Sequence, residues 1–352
     1  MRIKICIIMM LFTTSILLFG GVSTEAAEKE NIERWDITKE YTVTKQDATY
    51  HAYLSKDKKE SWIFKADVAK DKKNVKVVIP DKIENAPVVI VGVTSGYEEI
   101  LAKQNLGSVG IKGSDGSYYL DADVTFWGEF LEPWHYSGPY KKNIKSITMP
   151  DTVRYLGTAA FAYTTSLETI HLSNQLVSLR NYTFLGCKNL RKIDTSAKVK
   201  VEAKEAFTGC SKLAGLVYIT KHLEGDTVSF SNNMVIDLTE KDLVQVMPDA
   251  KKITIPKNVE NIEAAAFVNT NIKSVKVAKK NKKFSVHKRC LYEKKTGELV
   301  YIFGKGNVLK LSAKIKKISG DVVVTKAKLK KLIISHKVKL YNNWKKPFAK
   351  NN

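Results

Sequence analysis

Apolar residues recur through the middle of the chain at a fixed interval of 23 positions. Leu167, Leu190 and Leu213 share one slot. Ile147, Ile170, Ile193 and Leu216 share a second, and Phe161, Phe184 and Phe207 a third. Polar and apolar residues alternate over short runs, as in Ser146-Ile147-Thr148-Met149, Thr169-Ile170-His171-Leu172 and Lys192-Ile193-Asp194. Such alternation marks a strand with one buried face. A turn and a second apolar step follow, at Val153 and Leu156 and again at Leu176 and Leu179, before an aromatic residue closes the unit. One unit cannot bury its own Leu, Ile and Phe. Stacked units align like residues into ladders while their strands pair edge to edge. The pattern predicts short parallel β-strands stacked into a curved right-handed coil, with β-hairpin insertions and little helix.

The period and the phrase L-x-x-I-x-L fit a leucine-rich repeat solenoid, whose units run to roughly 20–29 residues. Two departures matter. Glu202 occupies the slot of Leu156 and Leu179, so the third coil is expected to bend or to shift by one residue toward Val201. Near Phe230 a longer unit takes over. A shift of 56 maps Val235-Ile236 onto Leu291-Tyr292, Leu243-Val244 onto Leu299-Val300, and Ile253 onto Leu309. It also maps Ile255 onto Leu311, Val259 onto Ile315 and Ile262 onto Ile318. This unit holds a standard coil and an inserted hairpin, from Cys290-Leu291-Tyr292 through Thr296-Gly297 to Leu299-Val300-Tyr301, with a Thr-Gly pair suited to the turn. A last coil starts at Leu329 and Leu332. Tyr341, Trp344 and Phe348 are expected to cover the open end of the core, as a terminal cap must.

Residues 1–27 read as a secretory signal peptide. Arg2 and Lys4 precede an apolar run over 5–19, and Thr24 and Ala26 suit a cleavage site. The run is short for a membrane span, and no Cys follows it to carry a lipid anchor. Residues 28–61 form a polar lead-in, expected to be partly ordered. Residues 62–143 form an N-terminal capping unit with an aromatic-rich insertion. The 23-residue repeats cover 144–229, and the 56-residue units with a strongly basic C-terminal cap cover 230–352. Beyond the signal stand Cys187, Cys210 and Cys290, an odd number that argues against a disulfide framework. Cys187 and Cys210 share a slot on adjacent coils, so a bridge is geometrically possible. The favoured reading is a pair of small buried hydrophobes.

The phrase Ile-Thr-Ile-Pro at 253–256, continued by Val259, Ile262 and Ala266-Phe267, resembles the BspA-type leucine-rich repeat. Met149-Pro150, Val153, Leu156 and Ala160-Phe161 repeat it. Gly186-Cys187 and Gly209-Cys210, followed by Leu190 and Leu213, match that family's coil closure. Val78-Ile79-Pro80 through Pro87-Val88-Val89 to Gly92 resembles its opening coil, and the hairpin unit around Asn281 and Phe284 resembles a variant unit. The resemblance covers residues 62–92 and 144–340. It implies a secreted or surface-displayed bacterial protein that adheres to other proteins or to matrix. The family motif contains no catalytic residues, so none are carried over.

The chain contains no nucleophile elbow, zinc-protease, P-loop or dinucleotide motif. Asp121, Asp123 and Glu129 lack the third ligand and the Gly of an EF-hand loop. Asn181-Tyr182-Thr183 is formally a glycosylation sequon, but it lies in the coil just before Phe184. No catalytic residue, cofactor or metal is therefore expected. Three surfaces remain as candidates. Trp127, Trp134, Tyr136 and Tyr140 form either a stacking platform for sugar or peptide or a plug on the end of the solenoid. The outward strand positions include Thr169, His171, Lys192 and Asp194, with Ser146, Thr148, Lys252, Thr254, Ser274 and Lys276. They fit a solvated face and a binding face equally.

The third surface is cationic. The net charge is +22; residues 1–250 hold 31 basic and 31 acidic side chains, and residues 251–352 hold 27 against 5. Lys279, Lys280, Lys282, Lys283, Lys316, Lys317, Lys330 and Lys331 are the candidates for attracting a polyanion, the alternative being a merely solubilising surface. Lysine outnumbers arginine, which favours diffuse attraction over bidentate phosphate readout. The sequence thus reads as a secreted, non-enzymatic protein. It mediates protein–protein interaction or adhesion at a bacterial cell surface, held electrostatically at an anionic wall without a covalent anchor. The expected partners are an extracellular protein or matrix ligand and an anionic wall polymer or acidic glycan, with no specific nucleic acid and no membrane span after signal cleavage. The alternative is a carbohydrate-binding module that uses the aromatic insertion.

Overall fold

The computed structural model describes residues 34–69, 71–92, 111–112, 118–119, 123–124, 130–131, 143–202, 204–219, 225–320, 322–324 and 329–341. The expected signal segment lies outside the described residues, as do Trp344 and Phe348 of the expected cap.

The repeat interval is the register of a parallel sheet. Strands Val75–Val78, Ile144–Thr148, Thr169–His171 and Lys192–Asp194 lie side by side. Val77, Ile147, Ile170 and Ile193 stand directly opposite one another and point inward, each at most 3% exposed. A second ladder forms where each coil turns back. There Ala86–Val91 pairs in parallel with Tyr155–Leu156, and Ser178–Leu179 with Lys198–Val201. At the aromatic corner the backbone bonds from coil to coil without forming strands. The Phe161 N–H donates to the Thr183 carbonyl at 3.0 Å and the Phe184 N–H to that of Ala206 at 2.8 Å. The rings follow: Phe161 on Phe184 and Phe184 on Phe207 are stacked, with centroids 5.8 and 5.6 Å apart. Phe230 extends the column at 6.2 Å from Phe207.

The expected irregularity at Glu202 is a one-residue contraction. Leu179 pairs with Val201, and Val201 takes the buried slot. Glu202 turns aside to Arg180, with 3.7 Å between Arg180 Nε and the carboxylate. The register is restored by Ala206, which receives the Phe184 N–H. Leu216 keeps its place in the apolar ladder, but it sits in a short α-helix, Ala214–Ile219. The reason is a close approach. The Gly215 N–H donates to Gln245 Oε1 at 2.5 Å, and a Cβ on Gly215 would collide with the Val244 carbonyl oxygen.

The segment expected as a partly ordered lead-in carries two long strands. Trp35–Lys45 and Ala48–Ser55 run antiparallel, and Ala48–Ser55 pairs antiparallel with Ser61–Val68. Ser61–Val68 joins Ala86–Val91 in parallel, so this meander closes the first end of the solenoid. Both faces of its last two strands are largely buried, whereas Trp35–Lys45 is part-exposed or exposed beyond Trp35. Tyr50, Ala52, Leu54 and Ile63 face the main core, while Trp35, Tyr53, Trp62 and Phe64 form a second cluster with Val89. With apolar residues on both faces, the polar–apolar alternation that signals a strand is erased.

The 56-residue interval holds strand for strand. Met234–Asp237 recurs as Cys290–Glu293 and Asn261–Ile262 as Lys317–Ile318. The inserted part has one strand more than the expected hairpin. Thr227–Ser231, Met234–Asp237 and Asp242–Val246 form one antiparallel triplet, and Phe284–His287, Cys290–Glu293 and Leu299–Ile302 the next. The last strand of each triplet returns to parallel pairing, with Asn261–Ile262 and with Val323–Val324. The first triplet divides the interior. Val235 and Val244 belong to the core of the 23-residue coils, whereas Met234, Ile236, Leu243 and Val246 belong to the next core. A third core, from Cys290 to Val338, fills the C-terminal end.

Cys187 and Cys210 are unbridged and buried. Each thiol donates to a carbonyl of the preceding coil, Cys187 Sγ to Phe161 at 3.0 Å and Cys210 Sγ to Phe184 at 3.1 Å. A polar ladder runs along the turns. Both oxygens of Asp151 accept from Asn174, at 2.8 Å from its backbone N–H and 3.0 Å from its side chain. Asn174 Oδ1 accepts in turn from the backbone and hydroxyl of Ser196, each at 2.7 Å.

Two expectations follow. Replacing Phe184 by Ala removes the middle ring of the stack and should cost about 3–5 kcal/mol; a thermal melt indistinguishable from wild type would remove Phe184 from the core. The backbone N–H of Asn174 holds the Asp151 carboxyl below the usual aspartate range. Its folded pKa is lower than its unfolded one, so its contribution is fully present above the unfolded value of about 4 and is lost as pH falls through the folded value. The melting temperatures of wild type and Asp151→Ala should differ at neutral pH and converge in acid. A gap that persists at pH 2 to ~3 would show that the carboxylate charge is not the cause.

Candidate functional site

The outward side of the parallel ladder brings together all four strand positions singled out in the sequence. Thr169 stands opposite Lys192, and His171 opposite Asp194. Ser146 and Thr148 continue the two rows on the preceding strand. Adjacent strands lie about 4.8 Å apart, so each row is a short line of polar groups on a rigid backing. His171 Nδ1 lies 3.3 Å from Asp194 Oδ2, and both side chains are solvent-accessible. A third row, Lys145–Glu168–Arg191 at the strand entries, is charged throughout. Glu168 accepts from Arg191 at 2.7 Å and lies 3.5 Å from Lys145, while Arg191 also pairs with Asp249. The Arg191 guanidinium holds the Glu168 carboxyl below its ordinary range. Positive and negative groups are thus matched along this part of the face.

Among the described residues, no group of three or more His, Cys, Asp or Glu side chains is placed to hold a metal ion. The three thiols are buried, and burial pushes Cys210 up to about 12 and Cys290 up to about 11, and raises Cys187 as well. Thr183 of the sequon is fully buried, its hydroxyl donating to the Arg180 carbonyl at 2.7 Å. Trp127, Trp134, Tyr136 and Tyr140 lie outside the described residues, as do Asp121 and Glu129.

The candidate lysines stand on several different elements. Lys279, Lys280, Lys282 and Lys283 flank a single turn and are all exposed. Buried Asn281 builds that turn. Its side-chain amide donates to the Pro256 and Val259 carbonyls, and its oxygen accepts from the Lys283 and Phe284 N–H groups, all within 2.7–3.0 Å. Lys316 is exposed, but Lys317 is partly neutralised. It donates to Glu298 at 2.6 Å and lies 4.7 Å from the centre of the Tyr341 ring. Lys330 and Lys331 are exposed at the start of a strand that pairs with Val308–Lys310, in a different sheet from Lys317.

Farther along the strand side lies a groove of about 510 Å³. Lys252, Thr254, Ser274 and Lys276, outward positions anticipated from the sequence, line it together with Asn232 and Asn233. The two asparagines escaped the sequence reading. Their signal was local: an Asn-Asn pair between two apolar runs suits a two-residue hairpin turn with both φ angles positive. The observed values are +53° and +60°.

Residues 139–250 and 245–296 match the model of the BspA type leucine rich repeat region in six copies. Residues 139–296 of the chain are thus BspA-type leucine-rich repeats. Among solved structures it is similar to a leucine rich cell surface protein from Faecalibacterium prausnitzii, at 14% identity over 84% of this chain and 77% of that one, with a TM-score of 0.35. It is also similar to the pneumococcal vaccine antigen PcpA, at 15% identity over 85% of this chain and 66% of that one, with a TM-score of 0.32. A leucine rich repeat protein of T. pallidum shares 14% identity over 86% of this chain and 93% of that one, with a TM-score of 0.31. No curated protein matches the sequence. Among the described residues, no helix is long and apolar enough to cross a membrane.

Proposed function

We propose that the chain is an exported, non-enzymatic recognition scaffold. Its strand face binds an extracellular protein or matrix ligand, and its basic end holds it at an anionic cell wall. The observation that carries this reading is the pair of in-register polar rows, Ser146–Thr169–Lys192 and Thr148–His171–Asp194, on a ladder whose inward residues are fully committed to the core. A regular, stiff array of donors and acceptors suits the recognition of an extended surface. Among the described residues, no group of three or more His, Cys, Asp or Glu side chains is placed to hold a metal ion beside it. The charge asymmetry supports the second half of the reading. Lysines crowded at one end of an exported chain attract wall polymers over long range, with an attraction that salt screens.

The strand face is tested by adhesion to immobilised extracellular matrix proteins. His171→Ala with Asp194→Ala should abolish adhesion and leave the melting temperature within about 2 °C of wild type, both side chains being at the surface. Undiminished adhesion would move the site off this face. Wall retention is tested by co-sedimentation with purified anionic cell walls. Release is expected in about 1 M salt, where the screening length is ~3 Å, and weaker sedimentation is expected when Lys279, Lys280, Lys282 and Lys283 are changed to Glu. Retention indifferent to both would refute electrostatic holding.

A further inference from the structure

The groove beside the Asn232–Asn233 turn differs in character from the rest of the strand face. Strand Lys252–Ile255 pairs in parallel with Ser274–Val277, with Lys252 opposite Ser274 and Thr254 opposite Lys276. The outward face is therefore a two-by-two board with lysines on one diagonal. Strand spacing and residue rise put those lysine Cβ atoms roughly 8 Å apart. The asparagine turn forms one wall. It is pinned there because the Met247 N–H donates to the Asn233 carbonyl at 2.8 Å. On the earlier strands the charges are matched, His171 against Asp194 and Arg191 against Glu168. In the groove no carboxylate lines the wall, and neither Lys252 nor Lys276 forms an ion pair among the described residues.

The coil itself does not require these side chains. At the equivalent places of the next unit, Lys288 and Arg289 replace the two asparagines, Val308 replaces Lys252 and Ile333 replaces Lys276, while Lys310 and Lys331 stand where Thr254 and Ser274 do, so the lysines fall on the other diagonal. Lys288 holds a positive φ of +54° there, so the backbone turn does not depend on asparagine. The same scaffold is built with other residues, which leaves the groove's composition to be explained by what it holds.

We infer that the groove binds an extended acidic peptide segment of a partner protein, with carboxylates at alternate positions. Residues i and i+2 of an extended chain point the same way and lie about 7 Å apart, which matches the spacing of the two ammonium-bearing positions. The Asn232 and Asn233 side-chain amides offer a donor and an acceptor each, as a peptide unit requires, and Thr254 and Ser274 supply hydroxyls between the lysines. A volume of 510 Å³ is within the range of small binding sites. No aromatic ring lines it, which argues against a sugar-stacking site. The inference rests on the reading of the strand side as a protein-binding surface, and it adds the chemistry of one partner element.

The test is fluorescence polarisation with the signal-free full chain and three labelled peptides of equal length. One alternates Asp with Thr, one has the same composition with the Asp residues grouped at one end, and one replaces Asp by Asn. The alternating peptide should bind most tightly and the Asn peptide should not bind. Lys252→Ala with Lys276→Ala should weaken the alternating peptide about tenfold, the effect of losing two exposed ion pairs. Lys198→Ala with Lys200→Ala removes the same charge from exposed positions elsewhere and should change nothing. Equal losses in both double variants would replace the groove by a diffuse cationic field and overturn the inference. So would equal affinity for the alternating and grouped peptides, or tighter lysine-dependent binding of an acidic oligosaccharide. Matrix adhesion that survives Lys252→Ala with Lys276→Ala but is lost with His171→Ala and Asp194→Ala, alongside absent peptide binding, would sink the groove and leave the wider reading standing.

Discussion

Each coil must return to its starting point after the same length of chain. Backbone hydrogen bonds between neighbouring coils impose this, because strands about 4.8 Å apart keep their register only if the paths between them are equal. Everything else in the repeat region inherits that condition. Ile147 lies on Ile170 and Ile193, Phe161 on Phe184 and Phe207, and the thiols of Cys187 and Cys210 reach carbonyls of the preceding coil. The one coil that contracts does so locally. It moves Val201 into the slot that Glu202 holds by count, and it returns to register by Ala206. A polar residue in a ladder position is tolerated because the backbone slips past it, leaving the carboxylate beside Arg180 and not in the core.

Longer additions obey the same condition by leaving and re-entering the coil at neighbouring points. The first triplet starts beside Lys198–Val201, and both triplets end in parallel pairing with a later coil, so their strands lengthen the chain without lengthening the coil. This is why a 56-residue unit and a 23-residue unit coexist in one stack. The Asn281 turn shows the local chemistry of such a junction. Four hydrogen bonds from one buried amide side chain tie the exit of a coil to the coil before it. The lysines beside it are then forced outward.

Much of this was written in the spacing of Leu, Ile and Phe, because a ladder that buries one face per strand leaves a periodic trace. Strand Ala48–Ser55 of the N-terminal meander left a blurred one, since Tyr50 and Tyr53 lie on opposite faces and both are buried. The helix at Leu216 was hidden for another reason. It answers to Val244 and Gln245, some 30 residues away, and no local pattern records that contact. The candidate sites divided in the same way. Thr169, His171, Lys192 and Asp194 follow from strand alternation and so fall on one face. The lysines were grouped by closeness in sequence, and Lys317 and Lys331 then part into separate sheets. The groove joins a turn to strands two elements later, so neither half announces the other.

The triplet Thr227–Ser231, Met234–Asp237 and Asp242–Val246 has Val235 and Val244 in one core and Met234, Ile236, Leu243 and Val246 in the next. It acts as a bulkhead. Loss of packing on one side leaves the other side sealed, so the interior is a row of compartments. A repeat array whose compartments are coupled only through shared walls opens in stages. A pull applied through the cationic end reaches the compartment from Cys290 to Val338 first, and among the described residues that one holds the smallest set of buried side chains of the three. The chain there can yield and lengthen under load while the polar rows of Thr169, His171, Lys192 and Asp194, two bulkheads away, keep their shape.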